Sequence, residues 1–361
     1  ALCTANMKDA DYAPIGPNSA AGAPDQHFDT VLWEGNNTQQ QVSMNFQPDL
    51  VWLKGRQAIS HYLFDSLRGA TAGSSKAIFP AAPDAEANYT DGGHVREMNK
   101  SGFVIAGESS GSNETGEEYV AWCWKAGNGT VEDNSGDITV TRSTNVDAGF
   151  SIIHYTKNGV AGSTIPHGLG KAPEFQIYKS LAGAVDWVVY HKTTTATHHM
   201  RLNDDGVSTD SDLRWNDVEP DVNFITLGTS GNTNGATAGK YICYAWTGIE
   251  GFSKFGSYYG NNNTDNAFVY LGFKPAMLIV KGTTASRSWT MYDNKRMPYN
   301  GNDGPILFAD ATTAEDSSGN HHLDFLSNGF KVRNVHDDEG NAETYVYAAW
   351  AEMPFKYATG R

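Results

Sequence analysis

One segment is written three times along this chain, and that repetition limits the fold more than any other feature. The copies are Phe46-Gln47-Pro48-Asp49-Leu50-Val51-Trp52-Leu53-Lys54, Ala172-Pro173-Glu174-Phe175-Gln176-Ile177-Tyr178-Lys179 and Phe273-Lys274-Pro275-Ala276-Met277-Leu278-Ile279-Val280-Lys281, each with a lysine six residues after its proline. Proline cannot donate to a β ladder, so such a run reads as a strand entered at its edge and buried through its middle. The surroundings repeat too. Upstream strands are expected over 28–33, 150–155 and 252–259, each running into Gly/Asn turns, and a further strand closes on Phe64-Asp65, Tyr190-His191 and Tyr292-Asp293. Runs at 101–105, 223–225 and 328–332 read as the outgoing arms of hairpins that return through Tyr119, Tyr241 and Tyr345.

The prolines stand 125 and 102 residues apart and the hairpin tyrosines 122 and 104, so two landmarks agree on three homologous units of about a hundred residues. No stretch holds a helical apolar period over three turns. The expected fold is all-β: three homologous β-sandwich-like modules packed together about a pseudo-threefold axis. Residues 1–27 read as a linker from a preceding region, 28–147 as module 1 with its connector, 148–250 as module 2, and 251–361 as module 3 with the C-terminal end. Within module 1, residues 81–95 read as a polar surface loop, and the connector's Asp137-Ile138-Thr139-Val140-Thr141 as an added strand.

Charge and cysteine content exclude several classes. With 41 acidic against 26 basic residues the net charge is −15, which repels phosphate backbones, so no nucleic acid is expected as partner. No apolar window of bilayer length occurs, so no membrane insertion is expected. The three cysteines lack C-x-x-C spacing, and Cys123 and Cys243 fall at small buried positions. The numbering opens on Ala1 without a signal-peptide pattern, and a removed upstream segment is expected.

Motifs for catalysis or metal are weak. Gly107-Glu108-Ser109-Ser110-Gly111 has the letters of a nucleophile elbow, but a hairpin loop follows it where that motif requires a helix. Asp133-Asn134-Ser135-Gly136-Asp137 and Asp337-Asp338-Glu339-Gly340-Asn341 lack the alternating ligands and terminal glutamate of a calcium loop. Neighbours on a strand point to opposite faces, so neither His198-His199 nor His321-His322 suits a shared ion. No enzyme, cofactor or metal is expected.

The repeated lysines are more informative. Lys54, Lys179 and Lys281 either close the core edge, with Asp65, His191 and Asp293 as cross-strand partners, or form a polar rim beside Tyr62, Trp187 and Trp289, whose rings could stack on sugar faces. Those six residues are the candidate ligand set, and the sequence leaves both readings open.

The runs 46–54, Leu63-Phe64-Asp65-Ser66-Leu67-Arg68-Gly69 and Tyr119-Val120-Ala121-Trp122-Cys123-Trp124-Lys125-Ala126-Gly127 resemble repeat domains of large virion-associated, tail-fibre-like proteins of marine tailed phages, notably cyanophages. His167-Gly168-Leu169-Gly170-Lys171-Ala172-Pro173 and Ala351-Glu352-Met353-Pro354-Phe355-Lys356-Tyr357 are similar to the same family's second repeat and terminus. The resemblance implies a tail-fibre or appendage component on the exposed virion surface. Its implied partners are other virion subunits, a homo-oligomeric trimer and a host cell-surface glycan. The alternative is a purely structural spacer or capsid decoration, and a glycan-degrading enzyme ranks last.

Overall fold

The computed structural model describes residues 24–351 apart from 72–73, 91–93, 108–110, 237–238 and 302–303. It is all-β. Twelve strands carry the interior: β1 (Phe28–Glu34), β2 (Leu50–Gly55), β3 (His61–Asp65), β4 (Glu118–Trp124), β5 (Phe150–Thr156), β6 (Phe175–Ser180), β7 (Val188–His191), β8 (Lys240–Trp246), β9 (Ser253–Tyr259), β10 (Met277–Gly282), β11 (Thr290–Asp293) and β12 (Thr344–Trp350). They pair antiparallel in the orders β1-β4-β2-β3, β5-β8-β6-β7 and β9-β12-β10-β11, one strand order occurring three times. Val131–Asp133 and Val140–Asn145 extend the second sheet beyond β5, so the connector strand starts at Val140 and not at Asp137. Among the described residues, no helix is long and apolar enough to cross a membrane.

Strands buried on both faces explain the continuous apolar runs. On β4, Val120, Trp122 and Trp124 face one cluster while Tyr119, Ala121 and Cys123 face another. β8 repeats this with Ile242, Tyr244 and Trp246 against Tyr241, Cys243 and Ala245, and β12 with Val346, Ala348 and Trp350 against Tyr345, Tyr347 and Ala349. A period of two is how a strand supplies two cores at once.

Each outer face is covered by a small second sheet, and here the hairpin reading fails. Gly102–Ile105 pairs with Gln40–Ser43 and Val95–Asn99, Phe224–Leu227 with Ser163–Pro166, and Gly329–Val332 with Phe268–Tyr270 and Leu323–Leu326. None pairs with β4, β8 or β12. The two runs belong to facing layers of a sandwich, and their side chains meet across its core, as Phe103 and Ile105 meet Tyr119 and Ala121. Adjacency in sequence suggested a ladder where there is face-to-face packing.

The inner faces of all three sheets converge on one cluster. At its centre Trp124, Trp246 and Trp350 form a triangle, with ring centroids 5.8, 5.3 and 5.8 Å apart and each pair edge-on at 65–73°. Phe28 and Phe150 stand opposite Trp124 and Trp246 in register, whereas Ser253 stands opposite Trp350. Phe252 therefore precedes β9 instead of opening it.

Candidate functional site

Trp187 and Trp289 are not surface platforms: they are 0 % and 2 % exposed. Their indole N–H groups cross the seams between sheets, Trp187 to the carbonyls of Phe79 at 2.8 Å and Ala82 at 3.1 Å, and Trp289 to that of Arg201 at 2.7 Å. A sugar cannot reach them, so neither is the ligand residue that the sequence suggested. Register explains why Tyr62 does not belong with them. Trp187 and Trp289 lie one position before Val188 and Thr290, which pair with Tyr178 and Val280, each the residue before its strand's lysine; in the first sheet His61 pairs with Lys54 itself. His61 is the counterpart of the two tryptophans, and Tyr62, one residue on, faces the outer core against Phe79 and His94.

Lys54, Lys179 and Lys281 are all fully buried. Lys54 Nζ donates to the carbonyls of Gly55 at 2.6 Å and Gln57 at 2.8 Å. Lys179 Nζ donates to those of Pro83, Gly183 and Val185 at 3.0–3.3 Å, and Lys281 Nζ to those of Asp205 at 2.8 Å and Arg287 at 2.5 Å. Burial, above all, pulls their pKa down, to about 7 for Lys54 and about 8 for Lys179 and Lys281. The acids are not their partners. Asp65, His191 and Asp293 pair in register with Leu50, Phe175 and Met277, at the opposite end of the strand from the lysine.

Residues 79–86, the first part of the expected surface loop at 81–95 together with Phe79 and Pro80 before it, are a strap laid on the second sheet. They accept from Trp187 and Lys179, and Glu86 N–H donates to Leu181 O. Residues 201–208 do the same for the third sheet, where Arg287 N–H reaches Asp205 O and Ser208 N–H reaches Thr283 O. Residues 308–316 close the circuit onto the first: Phe308 O meets His61 Nε2 at 2.8 Å, and Glu315 binds Arg56 through Nη2 at 2.7 Å.

A second circuit lies at the other strand ends. Tyr244 O–H donates to Asp65 Oδ2 at 2.6 Å, and Trp122 N–H donates to Asp293 Oδ2 at 3.1 Å, so each acid accepts a hydrogen bond from the neighbouring sheet's central strand. At the third seam that donor position is Ala348, and the acid position is His191, whose Nε2 meets the backbone carbonyl of Tyr347 at 3.1 Å. Both members of the pair differ together, so no buried carboxylate is stranded without a donor. Sequence reading noted His191 but missed Arg68 and Arg296. Each follows its acid by three residues, grips it through Nε at 2.5–2.6 Å and reaches a strap or seam carboxylate, Glu86 or Glu315. The D-x-x-R spacing was the available signal.

Of the remaining motifs, Gly107-Glu108-Ser109-Ser110-Gly111 lies largely outside the described residues, as do Cys3 and the terminal 352–361, while Cys123 and Cys243 are buried free thiols. His321 and His322 do point apart, to Glu339 and Asp324 respectively. His321 nevertheless meets two groups from a distant turn, His336 and Asp338, which together with it could hold a metal.

The profile of a family described as a domain of unknown function, DUF7483, matches residues 23–354. The chain belongs to this family. The match spans the three four-strand ladders and both circuits of contacts between them. No curated protein and no solved structure matches the chain.

Proposed function

We propose that this member of the DUF7483 family is a non-catalytic structural protein of a tailed-phage virion, a spacer or capsid decoration built from three homologous copies of one sandwich-like unit. One observation supports the choice of structural over ligand-binding role: Lys179, Lys281, Trp187 and Trp289, the repeated residues suited to a carbohydrate rim, are buried and donate to backbone carbonyls inside the fold. A side chain whose donors are taken inside the fold has none left for a ligand. The virion setting rests on the resemblance of the repeated segments and the chain's terminal motifs to phage tail-fibre-like proteins. Copies of this chain and other virion subunits are the partners this reading implies, on the exposed surface of the particle.

A host-glycan role survives in another place. Phe268 and Tyr270 share one exposed face of a strand in the third unit, at 47 % and 60 % exposure, and Lys254 caps Tyr270. Mass spectrometry and antibody labelling of purified particles test the virion assignment, which fails if the chain is absent from them. A glycan array probed with the intact chain separates the roles: no binding is expected, and binding abolished by Tyr270→Ala would replace the structural reading with the glycan one.

A further inference from the structure

We propose that His321, His336 and Asp338 form a site for one divalent ion of the zinc class, locking two loops of the third unit to its core. One ligand atom from each residue lies within 4.8 Å of the others. Donors about 2.1 Å from a tetrahedral ion stand about 3.4 Å apart, so a small rotation of the two partly exposed members closes the site.

The surroundings are those that orient ligands. His321 is 3 % exposed, and its Nδ1 faces both oxygens of the fully buried Glu339 carboxylate at 3.1 Å. Asn334 Nδ2 donates to the same carboxylate at 2.7 Å and holds it in place. A carboxylate behind one ring nitrogen leaves the other aimed outward as a ligand. Asp338 is set in the same manner, since its Oδ1 accepts from Ser288 N–H at 2.9 Å while its Oδ2 lies 3.5 Å from His336 Nδ1. On the far side of the His321 ring, Asp316 Oδ2 stands 3.7 Å from Nε2 while its Oδ1 takes Ser318 N–H at 2.8 Å, and water would complete the shell of the three-residue site.

Two imidazoles with carboxylates favour zinc-class ions over calcium or magnesium, which prefer all-oxygen shells. An open cleft of about 720 Å³ lined by His322, Arg333, Val335, His336 and Asp337 supplies the entry path. A metal-free His321–Glu339 ion pair accounts for two of these residues. It does not account for His336, whose ring centroid lies 3.8 Å from that of His321.

The test uses the full chain stripped with chelator. Calorimetric titration with Zn²⁺ is expected to give one ion per chain, and Co²⁺ to give the visible d–d absorption of a four-coordinate nitrogen–oxygen site. His336→Ala and Asp338→Asn should each weaken binding at least tenfold, while His322→Ala, next to the site but aimed away, should not. The Co²⁺ spectrum of the unaltered chain decides the matter even if a variant fails to fold. No uptake by the unaltered chain at micromolar metal, or equal binding by His336→Ala, overturns the site and leaves an ion pair only.

Discussion

His191 shows how one residue records its neighbours. The Tyr347 carbonyl can only accept, so His191 Nε2 carries the proton and donates to it at 3.1 Å, while Nδ1 accepts from Thr193 N–H at 3.2 Å; burial pulls the pKa down to about 4. The unfolded chain, with histidine near 6.5, binds more protons than the native state between pH 6.5 and 4, so stability falls as pH drops through that window. Denaturant titrations at pH 7 and pH 4.5 should show a loss on the order of 2 kcal/mol from this residue alone. His191→Gln keeps a donor for Tyr347 without titrating, and its loss between the two pH values should be smaller by that amount. An unchanged difference would place the acid sensitivity elsewhere, for instance at His61, whose pKa burial lowers to about 3.

At the scale of elements, the runs mistaken for hairpins show what joins two layers when no ladder does. Buried Asn234 spans the gap in the second unit: its Oδ1 accepts Asn158 N–H at 2.9 Å and Gly159 N–H at 3.2 Å. Its Nδ2 donates to Val160 O at 3.0 Å and Gly228 O at 3.2 Å. Asn113 plays this part in the first unit, with donations to Thr38 O and Ala106 O, both at 2.7 Å. Asn234→Ala strands several buried groups and should cost roughly 1–3 kcal/mol. The expected signature is a lower urea midpoint at an unchanged slope. The strands themselves were legible in the sequence because alternation and flanking turns are local, and β2, β6 and β10 each begin two residues after Pro48, Pro173 and Pro275. Which strand pairs with which was not, since a facing layer and a ladder partner present the same apolar run.

Over the whole molecule, the three tryptophans at the centre and the two circuits of seam contacts couple every sheet to both others. Trp246→Ala opens a cavity shared by all three and should cost roughly 3–5 kcal/mol. Because the cost is shared, heating should give one transition, coincident by far-ultraviolet circular dichroism and by fluorescence, at a lower temperature in the variant. Separate melting of the second unit in Trp246→Ala would show that the units fold independently and only touch. Asp293→Ala tests a seam: among the described residues it leaves the buried Arg296 guanidinium with Glu315 as its one carboxylate, and it should cost roughly 3–5 kcal/mol.

The linear chain determined the strand content, the recurrence of its landmarks and the burial of its prolines' downstream runs, because these follow from the chemistry of neighbouring residues. It could not determine the fate of the candidate site. Lysine beside tryptophan reads alike as a rim for sugars or as a seam between sheets, and only the strap at 79–86 and its counterparts, brought from far along the chain, turn those donors inward. The meeting of His321 with His336 and Asp338 is of the same kind, since long-range packing alone sets the distances that ligation requires.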